Sequence, residues 1–412
     1  MSQRPRHRVA EVIRRFYDRF ALRFPALDTP PIRDVLGDLA VCRTAALGGH
    51  FEQCDGCGFA RVSYNSCRNR HCPSCQGSAR SAWLARQEAD VLQVSYFHVV
   101  FTLPESLRGL ALQNKELVYG LLFQTASETL KQVAKDPKHL GAEIGILAVL
   151  HTWGQNLMHH PHLHCVLPAG GIAHDESGWV HCKRSGKGKQ FFAPVRVLSK
   201  LFRGKFLEEL KAARKRGELE YHGSQKGLSE EKSWQDFLEG LVREHWVVYC
   251  KRPFGGPRHV LKYLARYTHR VAISDQRLQD VTDDSVTFSY KDYRDQGQTK
   301  SMTLTGEEFL RRFLLHVLPK RFMRIRSYGF LSNAVRAAKL KLIRGWLAPE
   351  APLSEPAALG SERDAASEKV TELRQACRCP ECKIGTMQRV SEVPAVELAS
   401  WNIPRRAPPG EP

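Results

Sequence analysis

Two Cys-x2-Cys pairs constrain this chain most: Cys54-Asp-Gly-Cys57, 14 intervening residues, then Cys72-Pro-Ser-Cys75. Each pair sets two thiolates on one side of a tight turn. One tetrahedral Zn²⁺ shared by all four sulfurs would tie together loops too polar to build a core. The gap falls slightly below the usual span of about 15–20 residues. Cys42, His50, Cys67 and His71 remain over in the same segment and offer a second site. Near the other end, Cys377-Arg-Cys379-Pro-Glu-Cys382 supplies three sulfurs with no evident fourth ligand, and is the weaker candidate. Cys165, Cys182 and Cys250 read as core thiols.

Charge narrows the choice of partner. The chain holds 62 Lys+Arg against 43 Asp+Glu, a net charge of +19, which favours a polyanion such as nucleic acid or an acidic membrane surface. Two stretches are basic and free of acids: Ser177 to Leu207 with eight Lys/Arg, and Phe309 to Pro349 with ten, among them Lys320, Arg321, Arg324 and Arg326. The second interleaves Phe309, Phe313, Phe322, Tyr328, Phe330 and Trp346. Cations that track phosphates and rings that stack on bases suit single-stranded DNA. No apolar run approaches the roughly 20 residues of a membrane span, and the N-terminus lacks the apolar core of a secretory signal. A soluble intracellular protein is expected, in which cysteines serve as metal ligands or free thiols rather than disulfides.

Periodicity predicts helices over Val9–Phe24, from Asp28 to about Ala46, from Ser78 to about Leu92, and from Glu105 to about Val133. Strands are expected at Tyr96–Thr102, Ile144–His151, around Leu163 and at Trp246–Cys250, with a hairpin of Val286–Tyr290 and Ser301–Leu304. A helix from about His259 to His269 follows Cys250. From about Ala348 the chain turns rich in Pro, Ala, Glu and Ser, which reads as a flexible linker. No Gly-x4-Gly-Lys-Ser/Thr phosphate loop occurs, so no motor of that type is built in.

The chemistry concentrates in two patterns. In His162-Leu-His164, residues two apart on a strand point to one face and can present two imidazoles to one ion. A third ligand should lie on the neighbouring strand: His151, which ends the preceding apolar run, or Gln155 in the turn. Histidines completed by phosphate oxygens and waters accept Mg²⁺ or Mn²⁺. In Tyr263-Leu-Ala-Arg-Tyr267, residues four apart on a helix offer two phenols to one site, flanked by Lys262, Arg266 and Arg270 as phosphate clamps.

His162-Leu-His164 resembles the histidine–hydrophobic–histidine (HUH) signature, and Tyr263-x3-Tyr267 resembles the paired nucleophiles of two-tyrosine HUH enzymes. Tyr64-Asn-Ser-Cys-Arg-Asn-Arg-His-Cys-Pro-Ser-Cys75, Tyr263-Leu-Ala-Arg-Tyr-Thr-His-Arg270 and Arg324-Ile-Arg-Ser-Tyr-Gly329 are similar to rolling-circle transposases of the insertion-sequence 91 family. The likeness covers roughly residues 10 to 345. The spacing of His151, His162 and His164 is also similar to the three-histidine cluster of conjugative relaxases, which favours His151 as third ligand.

The resemblance implies an α+β fold: a central antiparallel, RRM-like sheet of the HUH nuclease type with flanking helices, plus a small N-terminal zinc-ribbon-like domain. It implies residues 1–93 as a helical and zinc-binding domain with its zinc core at 42–76, and 94–346 as the nuclease; composition, outside the likeness, makes 347–412 a flexible Pro-rich tail with a candidate cysteine knuckle. It further implies a transposase that nicks and rejoins single-stranded element ends through 5′-phosphotyrosine, with structural Zn²⁺, catalytic Mg²⁺ or Mn²⁺ and a host helicase. The setting would be the nucleoid-associated cytoplasm of a bacterium. A plasmid replication initiator or relaxase with the same chemistry, or a non-catalytic zinc-dependent DNA-binding protein, are the competing expectations.

Overall fold

The computed structural model describes residues 5–183, 192–254, 270–293, 295–348 and 378–396. The chain opens with helix α1 (Val9–Arg23), whose Val9, Val12, Ile13, Phe16 and Phe20 form one buried stripe. Helix α2 (Pro30–Ala40) starts on two prolines, where missing N–H groups cost nothing. It stops short of the expected Ala46 because the chain turns at Arg43 (φ 58°), just after Cys42. Strands β1 (Gly49–Cys54) and β2 (Ala60–Tyr64) form a hairpin, and helix α3 (Gln76–Glu88) begins directly after Cys75.

Strand β3 (Tyr96–Thr102) is followed by α4 (Arg108–Gln113) and α5 (Lys115–Lys135) instead of one long helix. Asn114 causes the break. Its amide donates to the carbonyls of Leu110 and Glu220 and accepts from the Glu220 N–H, clamping a distant segment at the expense of helical backbone geometry. Next come β4 (Ala142–Glu143), β5 (Gly145–Trp153), β6 (His159–Pro168), β7 (Gly170–Ala173) and β8 (Trp179–His181). Helices α6 (Val195–Lys215) and α7 (Glu231–Arg243) lead to β9 (Val248–Phe254). The remaining elements are β10 (Leu278–Val281), β11 (Ser285–Asp292), β12 (Gln298–Thr305), α8 (Gly306–Leu314), β13 (Ile325–Gly329), α9 (Arg336–Leu347) and β14 (Met387–Val393).

The fold is α+β, and its antiparallel sheets divide the labour. A five-stranded sheet runs β13-β5-β6-β3-β9, which puts the His-Leu-His strand at its centre. One face carries Phe97, Phe101, Leu163, Cys165, Ala148 and Leu150 into the main core, against α5 and α6. Phe101 meets Phe202 with ring centroids 4.9 Å apart, and Trp246 packs on Phe202 and Phe206. The opposite face carries the histidines. A second core joins α1 and α2 to α8, β10 and β11, so the N-terminal helices share their apolar stripe with residues 272–317. Among the described residues no helix is long and apolar enough to cross a membrane.

The tail is only partly what its composition suggests. The described residues 378–396 form a knuckle and then β14, which pairs antiparallel with β1, giving a three-stranded sheet β14-β1-β2. Pro/Ala/Glu/Ser-rich text had concealed an ordered strand.

Buried imidazoles support the sheet from below. His159 lies 2.7 Å from the Tyr119 hydroxyl, while His316 bonds the Leu157 carbonyl through Nε2 and the Thr152 hydroxyl through Nδ1. Burial lowers the pKa of His159 to about 2 and of His316 to about 3. Both rings titrate near 6.5 when unfolded, so their folded pKa values are depressed. The stability they allow is present above pH 6.5 and is lost as pH falls towards 3. At pH 5 each should cost about 2 kcal/mol relative to neutrality. Thermal unfolding followed by circular dichroism should show a midpoint falling steadily from pH 7 to pH 5; a flat profile would contradict this.

Gly306, the first residue of α8, touches α1. A Cβ there would lie 2.1 Å from the Phe16 ring. Gly306→Ala should destabilise by about 1–3 kcal/mol through overpacking, read as a lower melting temperature. Wild-type stability in this variant would contradict the packing described.

Candidate functional site

The β5–β6 hairpin assembles the histidine cluster. Antiparallel pairing sets His151 opposite His162 and Val149 opposite His164. Period-two alternation then directs all three rings to one face. Their nearest ring nitrogens lie within 4.8 Å of one another. Ring centroids are 4.5 Å apart for His151–His164, 4.9 Å for His162–His164 and 5.4 Å for His151–His162. Gln155, the alternative third ligand, lies in the turn between β5 and β6, where its carbonyl accepts from Arg277.

Neighbouring groups fix which nitrogens face the cluster. The His162 Nδ1–H donates to the His160 carbonyl at 2.7 Å, and His164 Nδ1 meets His98 Nε2 at 2.8 Å. Nε2 of His162 and of His164 is thereby the nitrogen available to an ion, an arrangement in which outer partners orient the ligands. Burial, with the Arg270 charge adding to it, lowers the His162 pKa to about 4 and holds that of His164 well below its usual value; burial lowers His98 to about 3. All are neutral, hence ligand-competent, at pH 7. Sequence reasoning missed His98. Its signal was available, as a polar residue inside the apolar strand Tyr96–Thr102.

The face around the cluster is half covered. Trp83 of α3 packs with Tyr96, Leu147 and Val166 on one side. On the other side Tyr249 is 55% exposed and Lys251 is exposed. A cleft of about 400 Å³ opens between the start of α3 and residues 270–277, lined by Arg80, Arg270 and Arg277 together with Gln76, Gly77 and Ser274. The expected nucleophiles Tyr263 and Tyr267, with Lys262 and Arg266, lie outside the described residues. Of the other basic candidates, Lys320 and Arg321 are exposed. Arg324 instead donates to Gln76 and to the Arg270 carbonyl, and Arg326 lies over the Phe123 and Phe322 rings. Both guanidiniums thus make contacts within the fold.

The cysteines group differently from what their spacing suggests. Cys54 and Cys57 do not meet Cys72 and Cys75. One cluster is Cys42, Cys67, Cys72 and Cys75, with sulfur separations of 3.5 Å (Cys42–Cys75), 3.6 Å (Cys67–Cys75) and 3.5 Å (Cys42–Cys72). The other is Cys54, Cys57, Cys379 and Cys382, with 3.7 Å for both Cys54–Cys382 and Cys57–Cys379. His50 and His71 belong to neither. The cause is β1, which carries the Cys54 knuckle away from the Cys42 turn. A Zn–S bond of about 2.3 Å in a tetrahedron separates sulfurs by about 3.8 Å, close to these values, whereas a disulfide would need about 2.05 Å. Cys377 lies outside the described residues, while Cys165 and Cys182 are buried thiols.

The first cluster is keyed to the rest of the protein. Arg70, inside its loop, donates to the carbonyls of Phe322 and Pro319, both at 2.6 Å. Ser74 donates to buried Asp275, whose other oxygen accepts from the Val9 N–H at the start of α1.

Comparison with known proteins agrees with this architecture. A family described as "Transposase zinc-binding domain", of the insertion-sequence 91 type, matches residues 12–103. One described as "Putative transposase" matches residues 145–339. The putative transposase y4qJ of Sinorhizobium fredii is 51% identical over 381 residues, covering 92% of this chain and 94% of that protein. The transposase for insertion sequence element IS801 of Pseudomonas savastanoi pv. phaseolicola is 30% identical over 303 residues, covering 72% of this chain and 69% of that protein. No solved structure matches. The chain belongs to the transposases of the insertion-sequence 91 family, with an N-terminal zinc-binding domain.

Proposed function

We propose that this transposase nicks and rejoins single-stranded DNA at element ends, with Tyr263 and Tyr267 as nucleophiles and strand opening left to a host helicase. The convergence of His151, His162 and His164 on one sheet face carries this reading. The donor set fits a divalent cation: three imidazoles, two with the far nitrogen already engaged. Bound there, Mg²⁺ or Mn²⁺ supplies Lewis-acid polarisation of a scissile phosphate. The described chain leaves the sheet at Phe254 on β9 and returns at Arg270, whose charge reaches His162 and His164. The described residues on either side of the proposed nucleophiles thus belong to the histidine sheet and to its charged surroundings.

The chemistry conserves bond energy. A tyrosine oxygen attacks phosphorus, the new O–P bond forms as the bond to the 3′ oxygen breaks, the phenolic proton is lost and the 3′ oxygen gains one. The result is a 5′-phosphotyrosine and a free 3′-OH, so attack by a 3′-OH reverses the step without ATP. The phenol, with an ordinary pKa of about 10, needs the cationic surroundings of Arg270 and its neighbours to ionise near pH 7. A second tyrosine lets another strand be cut while the first stays loaded. Cys42, Cys67, Cys72 and Cys75 hold the structural Zn²⁺ of the N-terminal domain. Phosphates of the bound strand are assigned to the cleft of Arg80, Arg270 and Arg277.

Tyr263→Phe combined with Tyr267→Phe should abolish covalent adducts with a single-stranded end oligonucleotide on denaturing gels. Single-strand affinity should stay within about 3-fold, since the rings remain and about 0.7 kcal/mol is the most their hydroxyls would add. An adduct surviving in the double variant refutes the assignment.

His151→Ala should raise the Mn²⁺ concentration needed for half-maximal cleavage by at least about 10-fold, and weaken Mn²⁺ binding in calorimetry. Gln155→Ala should leave both near wild type. Equal effects of the two substitutions would remove His151 from the site.

A further inference from the structure

The family's zinc-binding region ends at residue 103, yet two of its cysteines meet their partners at the opposite end of the chain. Cys54 and Cys57 sit in a knuckle closing β1. Cys379 and Cys382 sit in a second knuckle before β14. The two are near repeats in backbone bonding. In the first, Cys54 N–H donates to the Phe59 carbonyl at 2.8 Å and Gly58 N–H to the Cys54 carbonyl at 3.1 Å. In the second, Cys379 N–H donates to the Gly385 carbonyl at 2.8 Å and Lys383 N–H to the Cys379 carbonyl at 3.0 Å. Each knuckle also aims a backbone N–H at a sulfur, Gly56 at Cys54 and Gly385 at Cys382, both at 3.3 Å. Such donors stabilise thiolate, the form that binds metal.

The approach of the knuckles is close and specific. A Cβ at Gly385 would lie 2.5 Å from the Cys54 sulfur. Asp55 accepts from the Thr386 N–H at 2.7 Å, and the Asp55 N–H donates to the Thr386 carbonyl at 3.1 Å. Among the described residues apolar support is slight: the local cluster holds Cys54, Cys379 and Met387, with Phe59 and Cys382 packed against it. A contact so small cannot offset the cost of ordering two chain segments. Four soft sulfurs in a closed tetrahedral set are the ligand chemistry of a structural zinc.

We propose that Cys54, Cys57, Cys379 and Cys382 hold a second structural Zn²⁺, which fastens the C-terminal segment to the N-terminal sheet. The zinc domain is then composite. Its first ion draws its ligands from residues 42–75, its second from both ends of the chain.

Elemental analysis of the full-length protein tests this. Cys379→Ser with Cys382→Ser should lower the zinc content by one per chain, Cys42→Ser with Cys75→Ser by one, and the four substitutions together by two. Unchanged zinc in the first variant overturns the proposal. A second measurement leaves every cysteine in place. With a protease recognition sequence inserted between residues 360 and 361, the cleaved C-terminal piece should co-elute with the rest in zinc and separate after chelation. A piece that separates from zinc-loaded protein, or stays attached after the metal is stripped, overturns it.

Discussion

Four sulfurs sit where the N-terminal helices, the start of α3 and the 318–322 turn come together, and the geometry of the histidine face depends on how they are held. Cys42 ends the α2 turn, while Cys72 and Cys75 position the first residue of α3. Helix α3 in turn lays Trp83 over Tyr96, Leu147 and Val166. The width of exposed sheet around the histidines is thus set from the cysteine side of the molecule. Arg70 and Asp275 carry the same constraint by hydrogen bonds: one binds the carbonyls beyond α8, the other holds both the cysteine loop and the first N–H of α1. Asp275 is 6% exposed, and burial raises its pKa, so its two donors are what make a carboxylate acceptable there.

On the sheet itself, an apolar underside and a polar upper side perform separate tasks. The underside is filled by aromatic rings and sets strand order. The upper side collects imidazoles that burial keeps uncharged, beside arginines that stay charged. Uncharged imidazoles and fixed cations in one place suit the proposed site, which would take up both a metal ion and a polyanion. His98 belongs to this design although it does not join the cluster, since it orients His164 from the adjacent strand.

Much of this was legible in the residues. The strand expected at Tyr96–Thr102 is β3 at its observed bounds, the apolar stripe located α1 to within a residue, and the His-x-His spacing already required a shared face. Local spacing failed wherever a partner came from far along the chain. The 14-residue gap between Cys57 and Cys72 looked like one closed site, but nothing local encodes that Cys57 faces Cys379. Asn114 breaks a helix whose periodicity is unbroken, because its partner Glu220 lies 106 residues away. Helices α6 and α7, with strong apolar stripes, were legible in principle and passed over. Arg324 shows the converse: a cation in a basic, aromatic-rich text can belong to the fold.

The pairing of β1 with β14 has a consequence for biosynthesis. Strand β14 leaves the ribosome more than 330 residues after β1. Until β14 has been made, the β1 edge opposite β2 exposes unpaired backbone donors and acceptors. Open edges of this kind invite pairing with the wrong chain, and contacts so distant in sequence form slowly. Every nascent copy passes through this interval, and messages that end early would leave it permanent. Truncated chains of this transposase should therefore be prone to aggregate through that edge even where their histidine sheet is intact.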